Sequence, residues 1–175
     1  MKTSEYQKFG RLLLGVAAIS AAGYFFLVVL VVHGDWTGTF ESLCLFSGLI
    51  ILPGRRTFVL IGRYLFAFGL LVFAVIHFIY ESFVITWIPG WIPFPVVWAY
   101  LVPVGFLGAF VSIAIQKYVR LSSLLLALMF LLWVFIVNLP RALALKTGVE
   151  WTGTFIALAM SGISLLIAGS CLKKK

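Results

Sequence analysis

Residues 121–139 read LSSLLLALMFLLWVFIVNL, nineteen positions without one charged side chain. A helix rises about 1.5 Å per residue, so a run of this length matches the roughly 30 Å hydrocarbon core of a bilayer. Inside lipid no water meets the peptide groups, and a helix satisfies them within the segment. Read outward from there, 12–32, 96–116 and 151–172 repeat the pattern. The stretch 57–80 is long enough but carries Arg63 close to one end, where its stem can lie along the helix and its head can reach the interface. The stretch 39–53 is short and closes on the breaker pair Pro53-Gly54. The sequence therefore predicts an all-α polytopic membrane helical bundle, one domain over 1–175, with six transmembrane helices at about 12–32, 39–53, 57–80, 96–116, 121–139 and 151–172.

Composition agrees. Hydrophobic residues make up 63% and charged residues 10% of the 175, against about half and about a quarter in soluble domains. So small a globule has too little interior to hide the excess, and the partner implied is the lipid bilayer. The formal net charge is +8, but the basic residues flank apolar runs, which argues against nucleic acid as a partner. Lys2, Lys8 and Arg11 precede 12–32 as in a signal peptide. That run is 21 residues long, beyond an h-region of about 7–15, and is expected to be a retained helix. Cys44 and Cys171 lie in apolar runs and form no CxxC pair, so neither a thiol relay nor a zinc knuckle is expected.

Charge placement sets an orientation. With six spans and a cytoplasmic N-terminus, the inner side holds Lys2, Lys8, Arg11, Arg55, Arg56, Arg63, Lys117, Arg120, Lys173, Lys174 and Lys175. The outer side holds only Arg141 and Lys146. The positive-inside rule then predicts both termini cytoplasmic in a cell (inner) membrane. All six tryptophans, Trp36, Trp87, Trp91, Trp98, Trp133 and Trp151, fall in the outer half. The outer connection 83–95, FVITWIPGWIPFP, has too many prolines for a regular helix and too few polar groups for an aqueous loop. It is expected to fold onto the outer mouth as a lid.

There is an internal echo. Asp35-Trp-Thr-Gly-Thr-Phe40 recurs as Glu150-Trp-Thr-Gly-Thr-Phe155, each copy opening a helix that runs inward. Helices one and two thus look like a distant copy of helices five and six. Asp35 and Glu150 also suit helix N-termini.

The same orientation brings four of the five carboxylates and both histidines to the outer side. Ionisable groups within a membrane are costly and mark pairs or sites. His77 and Glu81, four apart, would share one helix face and could act as base, relay or hydrogen-bonded lock. Glu41, in the first turn of its helix, is a further catalytic candidate or a dipole partner. Arg141, after Asn138-Leu-Pro140, could pair with Glu41, Glu81 or Glu150, or meet a ligand. Candidate ligand-binding residues are Trp87, Trp91, Trp98, Tyr80, Asn138, Arg141, Asp35 and Glu150. No HxxH or HExxH spacing occurs, and a bis-histidine haem would need His33 and His77 on one iron, so neither metal nor haem is favoured.

Gly62-Arg63, Gly69-Leu-Leu-Val-Phe73, His77-Phe-Ile-Tyr80, Trp87-Ile-Pro-Gly-Trp-Ile-Pro93, Trp98-Ala-Tyr100 and Asn138-Leu-Pro-Arg141 stand in an order that resembles DoxX-like membrane proteins. The two WTGTF segments fit the same pattern, and the resemblance covers most of the chain past residue 35. It implies a small helical-bundle membrane protein related to subunits of quinone-linked oxidoreductases, thiosulfate:quinone oxidoreductase among them. The bundle is also broadly similar to sterol-isomerase-type and sterol-binding membrane proteins, in which acids and aromatics line a membrane pocket. The expectation is an accessory subunit of a membrane redox system that binds a hydrophobic, quinone- or isoprenoid-like molecule. A small acid–base enzyme such as an isomerase is the alternative, and a membrane assembly or structural factor a further one.

Overall fold

The computed structural model describes residues 34–171, and all regular structure in them is helical. The expected first span, the basic N-terminal tail, His33 and the three terminal lysines lie outside the described residues. The helices are α1 (Trp36–Ile51), α2 (Arg56–Ile79), α3 (Glu81–Trp87), α4 (Pro95–Ala114), α5 (Val119–Trp133), a π-helical turn (Val134–Asn138), α6 (Leu139–Leu145) and α7 (Gly148–Ser170). Four stretches are long and apolar enough to cross a membrane: Arg56–Ile79, Pro95–Ala114, Val119–Leu145 and Gly148–Ser170; α1 is apolar but shorter.

Two boundaries differ from the sequence reading for physical reasons. The charge-free run from Leu121 does not stop at Leu139. Pro140 has no N–H for the carbonyl four residues back, and the π turn just before it, with Leu139 N–H bonded to the Val134 carbonyl, lets the helix continue to Leu145. The connection 83–95 was expected to contain no regular helix, yet its first part belongs to α3. Its prolines begin only at Pro89, so every peptide N–H of α3 remains available. Beyond it the chain is irregular until Pro95 opens α4 at the position where a missing N–H costs nothing.

Packing puts small residues where helices meet. A Cβ on Gly69 of α2 would collide with the Cys44 Sγ of α1, and one on Gly62 would lie 2.8 Å from the Ser47 carbonyl oxygen. Close approach through glycine is how helices associate in lipid, where apolar burial offers little driving force. Across the bundle, the Ser161 hydroxyl of α7 donates to the Ala127 carbonyl of α5 at 2.9 Å. The turn between α1 and α2 relies on Gly54, whose φ of 68° is in the left-handed region. Phe66, Leu70, Ile113 and Ile167 are fully enclosed.

The outside is inverted relative to a soluble protein. Leu121, Leu125, Leu128, Leu132 and Phe135 form an outward stripe at helical spacing, and each is about half exposed or more. Ser123, Leu126, Ala127 and Asn138 of the same run face inward. An apolar exterior of this kind is matched by lipid and mismatched by water.

Candidate functional site

Where α1 and α7 begin and α2 ends, the helices diverge around a cavity of about 450 Å³. That lies within the range of small-molecule sites. Phe73 of α2, Phe106 of α4 and Phe130 of α5 form a continuous aromatic wall, with centroids 6.2 Å and 5.6 Å apart in sequence. Met129, Trp133, Ile156, Ala157 and Met160 extend it; thioethers adapt to irregular shapes at little cost. Phe83, Val84 and Trp87 of α3 close one side, so of the 83–95 connection it is the helical start that lines the cavity.

Few polar groups interrupt this lining. Glu41 and Thr37 lie one turn apart on α1, and the half-buried Glu41 takes no hydrogen bond or ion pair among the described residues. His77 of α2 has Nδ1 2.8 Å from the Phe73 carbonyl oxygen and its ring edge-on to Phe106 at 5.3 Å. A carbonyl only accepts, so Nδ1 carries the proton, and in the neutral ring Nε2 is left as an acceptor. Asn138 is buried at the end of the π turn and lines the same space. Such turns recur at functional sites because the extra residue redirects side chains. A carboxyl, an imidazole and a carboxamide thus share one largely apolar chamber.

Arg141 is committed elsewhere. Its Nε and Nη2 donate to the two carboxylate oxygens of Glu150 at 3.3 Å and 3.0 Å. Its guanidinium carbon stands 4.3 Å from the centre of the Trp87 ring. Glu150 is buried, and its backbone N–H is capped by Thr147. A two-pronged ion pair stacked on an aromatic face is a satisfied unit. It ties α6 and α7 to α3 and supports the cavity through Trp87.

The remaining sequence candidates divide clearly. Tyr80 and Trp87 line the cavity with Glu41, His77 and Asn138. Glu81 does not line it. Tyr80 leaves helical geometry (φ −109°, ψ 33°), so His77 and Glu81 belong to different helices and no hydrogen bond or ion pair joins them. Glu81 instead neighbours the Tyr100 phenol. Asp35 accepts from the Gly38 N–H at 2.9 Å and caps α1. Trp91 is 71% exposed beyond the Pro89-Gly90 bend. Trp98 is exposed and donates its indole N–H to the Pro93 carbonyl at 3.2 Å, bracing the irregular segment.

The two WTGTF segments share local geometry, with one offset. Thr39 and Thr154 both bond to the carbonyl four residues back, and Trp36–Phe40 and Trp151–Phe155 both stack at about one turn, 6.3 Å and 6.2 Å. Asp35, however, is the cap of α1, whereas α7 starts three residues before its equivalent and leaves Glu150 free to reach Arg141.

The sequence reading missed the wall: Phe73, Phe106, Phe130, Met129 and Met160. In spans where nearly every position is apolar, periodicity does not distinguish a lipid-facing ring from a cavity-facing one. Comparison of the chain with protein-family models, with curated proteins and with solved structures gives no match.

Proposed function

We propose that this is a DoxX-like six-span protein of the cell membrane, with both termini cytoplasmic, whose bundle binds a quinone- or isoprenoid-like molecule as an accessory subunit of a membrane redox system. The observation that carries the reading is the chamber itself. It is walled by Phe73, Phe106, Phe130 and Trp133 and has only a few polar groups, led by Glu41, His77 and Asn138. Flat rings suit aromatic walls. A quinone carbonyl would accept a hydrogen bond from the Asn138 amide, and a hydroxyl would donate to Nε2 of His77. Pairing of the first two spans with the last two, as in the repeated WTGTF segments, belongs to the same proposal.

Gly153 offers a clean test, since it lines the chamber and a Cβ there meets no atom within 4 Å. Gly153→Leu should fill the chamber without disturbing the fold. In the purified protein, a short-chain ubiquinone analogue should raise the melting temperature saturably, and Gly153→Leu should abolish that rise while keeping its own melting temperature. A ligand response unchanged by the substitution, or none in the parent protein, refutes the reading.

An acid–base enzyme is favoured by one observation: Glu41 and His77 face a common apolar space that could hold a carbon acid between them. It requires turnover that disappears in His77→Ala while the ligand is still bound.

A further inference from the structure

The opposite end of the bundle, where α2 and α5 begin and α4 and α7 end, holds a second, wider recess of about 1260 Å³. Arg63 lies on its wall and is only 8% exposed. Its Nη1 donates to Gln116 Oε1 at 3.1 Å, and its Nη2 to Ser170 Oγ at 2.8 Å and Cys171 Sγ at 3.0 Å. All three partners are oxygen or sulfur acceptors without formal charge in their ordinary state, and among the described residues the buried Nε has no hydrogen-bond partner. A buried cation without a counter-charge is costly, and such groups in membrane proteins are paired or functional.

Among the described residues, the surroundings add positive charge and no negative charge. Arg56, two turns before Arg63 on α2, and Arg120 of α5 line the same recess. All four carboxylates among the described residues, Asp35, Glu41, Glu81 and Glu150, sit toward the cavity end. The helices starting here, α2 and α5, have no side-chain cap, so their free N–H groups add to the field. Leu52, Leu165 and Leu166 border the recess and are exposed, a surface suited to acyl chains.

We propose that this recess is a phosphate site occupied by the headgroup of an anionic phospholipid. Planar guanidinium groups match phosphate oxygens in a fork geometry, and an anion there compensates the charge of Arg63. Arg56 and Arg120, both exposed, gather the headgroup from the membrane surface, and the leucines hold its chains. The site is independent of the chamber at the other end.

The test uses the full chain in non-ionic detergent, with thermal unfolding followed against dihexanoyl phosphatidylglycerol, dihexanoyl phosphatidylcholine and inorganic phosphate. Phosphatidylglycerol should stabilise saturably, and phosphatidylcholine, whose choline returns a cation to the arginines, should not at the same concentration. Arg56→Gln and Arg120→Gln are surface changes that leave the fold intact. Each should weaken phosphatidylglycerol binding by about tenfold, the effect of losing one charge-assisted hydrogen bond. Inorganic phosphate matching the lipid's affinity would keep the phosphate site and assign it to a free anion. Equal responses to the two lipids, no response to phosphatidylglycerol, or an affinity unchanged in both variants overturns the proposal.

Discussion

The two ends of the bundle treat an arginine in opposite ways. At the cavity end, Arg141 meets both oxygens of Glu150 and the face of Trp87, and its charge is closed within the protein. At the other end, Arg63 reaches an amide, a hydroxyl and a thiol, none of which carries formal charge in its ordinary state, and among the described residues its Nε–H has no partner. Most long-helix starts follow suit: α1 and α7 are capped by Asp35 and Thr147 and α4 opens on Pro95 without a side-chain cap, whereas α2 and α5 both begin uncapped. One end closes its arginine on a carboxylate and leaves Glu41, His77 and Asn138 for a mostly apolar chamber. The other is electrostatically open and calls for an anion from outside.

The largest effect should separate the two arginines. Arg141→Ala leaves the buried Glu150 carboxylate without its partner and should cost about 3 kcal/mol. Arg63→Met, measured without added anionic lipid, removes an uncompensated charge while keeping most of the side-chain bulk. It should cost about 1 kcal/mol or less. Equilibrium unfolding in mixed micelles would check both, and equal costs would erase the contrast between the ends.

Next in size is the seam that holds the two ends in register. Gly69→Ala drives a methyl group into the Cys44 sulfur and should destabilise by about 2 kcal/mol. Adding Cys44→Ala should recover most of that loss in a double-mutant cycle. Additive costs would mean that this contact does not set the separation of α1 and α2.

The smallest effects concern the caps. Asp35→Ala should cost about 1 kcal/mol by freeing the Gly38 N–H. Arg55 has extended backbone geometry at the start of α2 but no capping side chain, so Arg55→Ser should gain about 0.5 kcal/mol. Melting temperatures of the pair would show opposite shifts. A loss in Arg55→Ser would show that the open end depends on that arginine more than on a cap.

Part of the cavity lining was legible in outline. His77, Glu41, Tyr80, Trp87 and Asn138 could be named because polar or interfacial groups stand out in an apolar run. The pairing of His77 with Glu81 could not be judged, since it depended on whether the helix survives Tyr80, where nothing in the residue type announces a break. Arg141 had three possible carboxylate partners in sequence. The choice of Glu150 required α7 to begin three residues early, at the Thr147 cap.

Hydrophobic run length and the scarcity of charge determined, without any coordinates, that this chain is helical and that its helices are built for lipid. Those are properties of solvent matching, and they act on each segment separately. The aromatic chamber, the closed Glu150–Arg141–Trp87 stack and the unpaired charge of Arg63 were decided only by tertiary structure. Each depends on which faces of neighbouring helices meet, and in spans apolar on every side that choice comes from glycine contacts, a π turn and a few hydrogen bonds between helices.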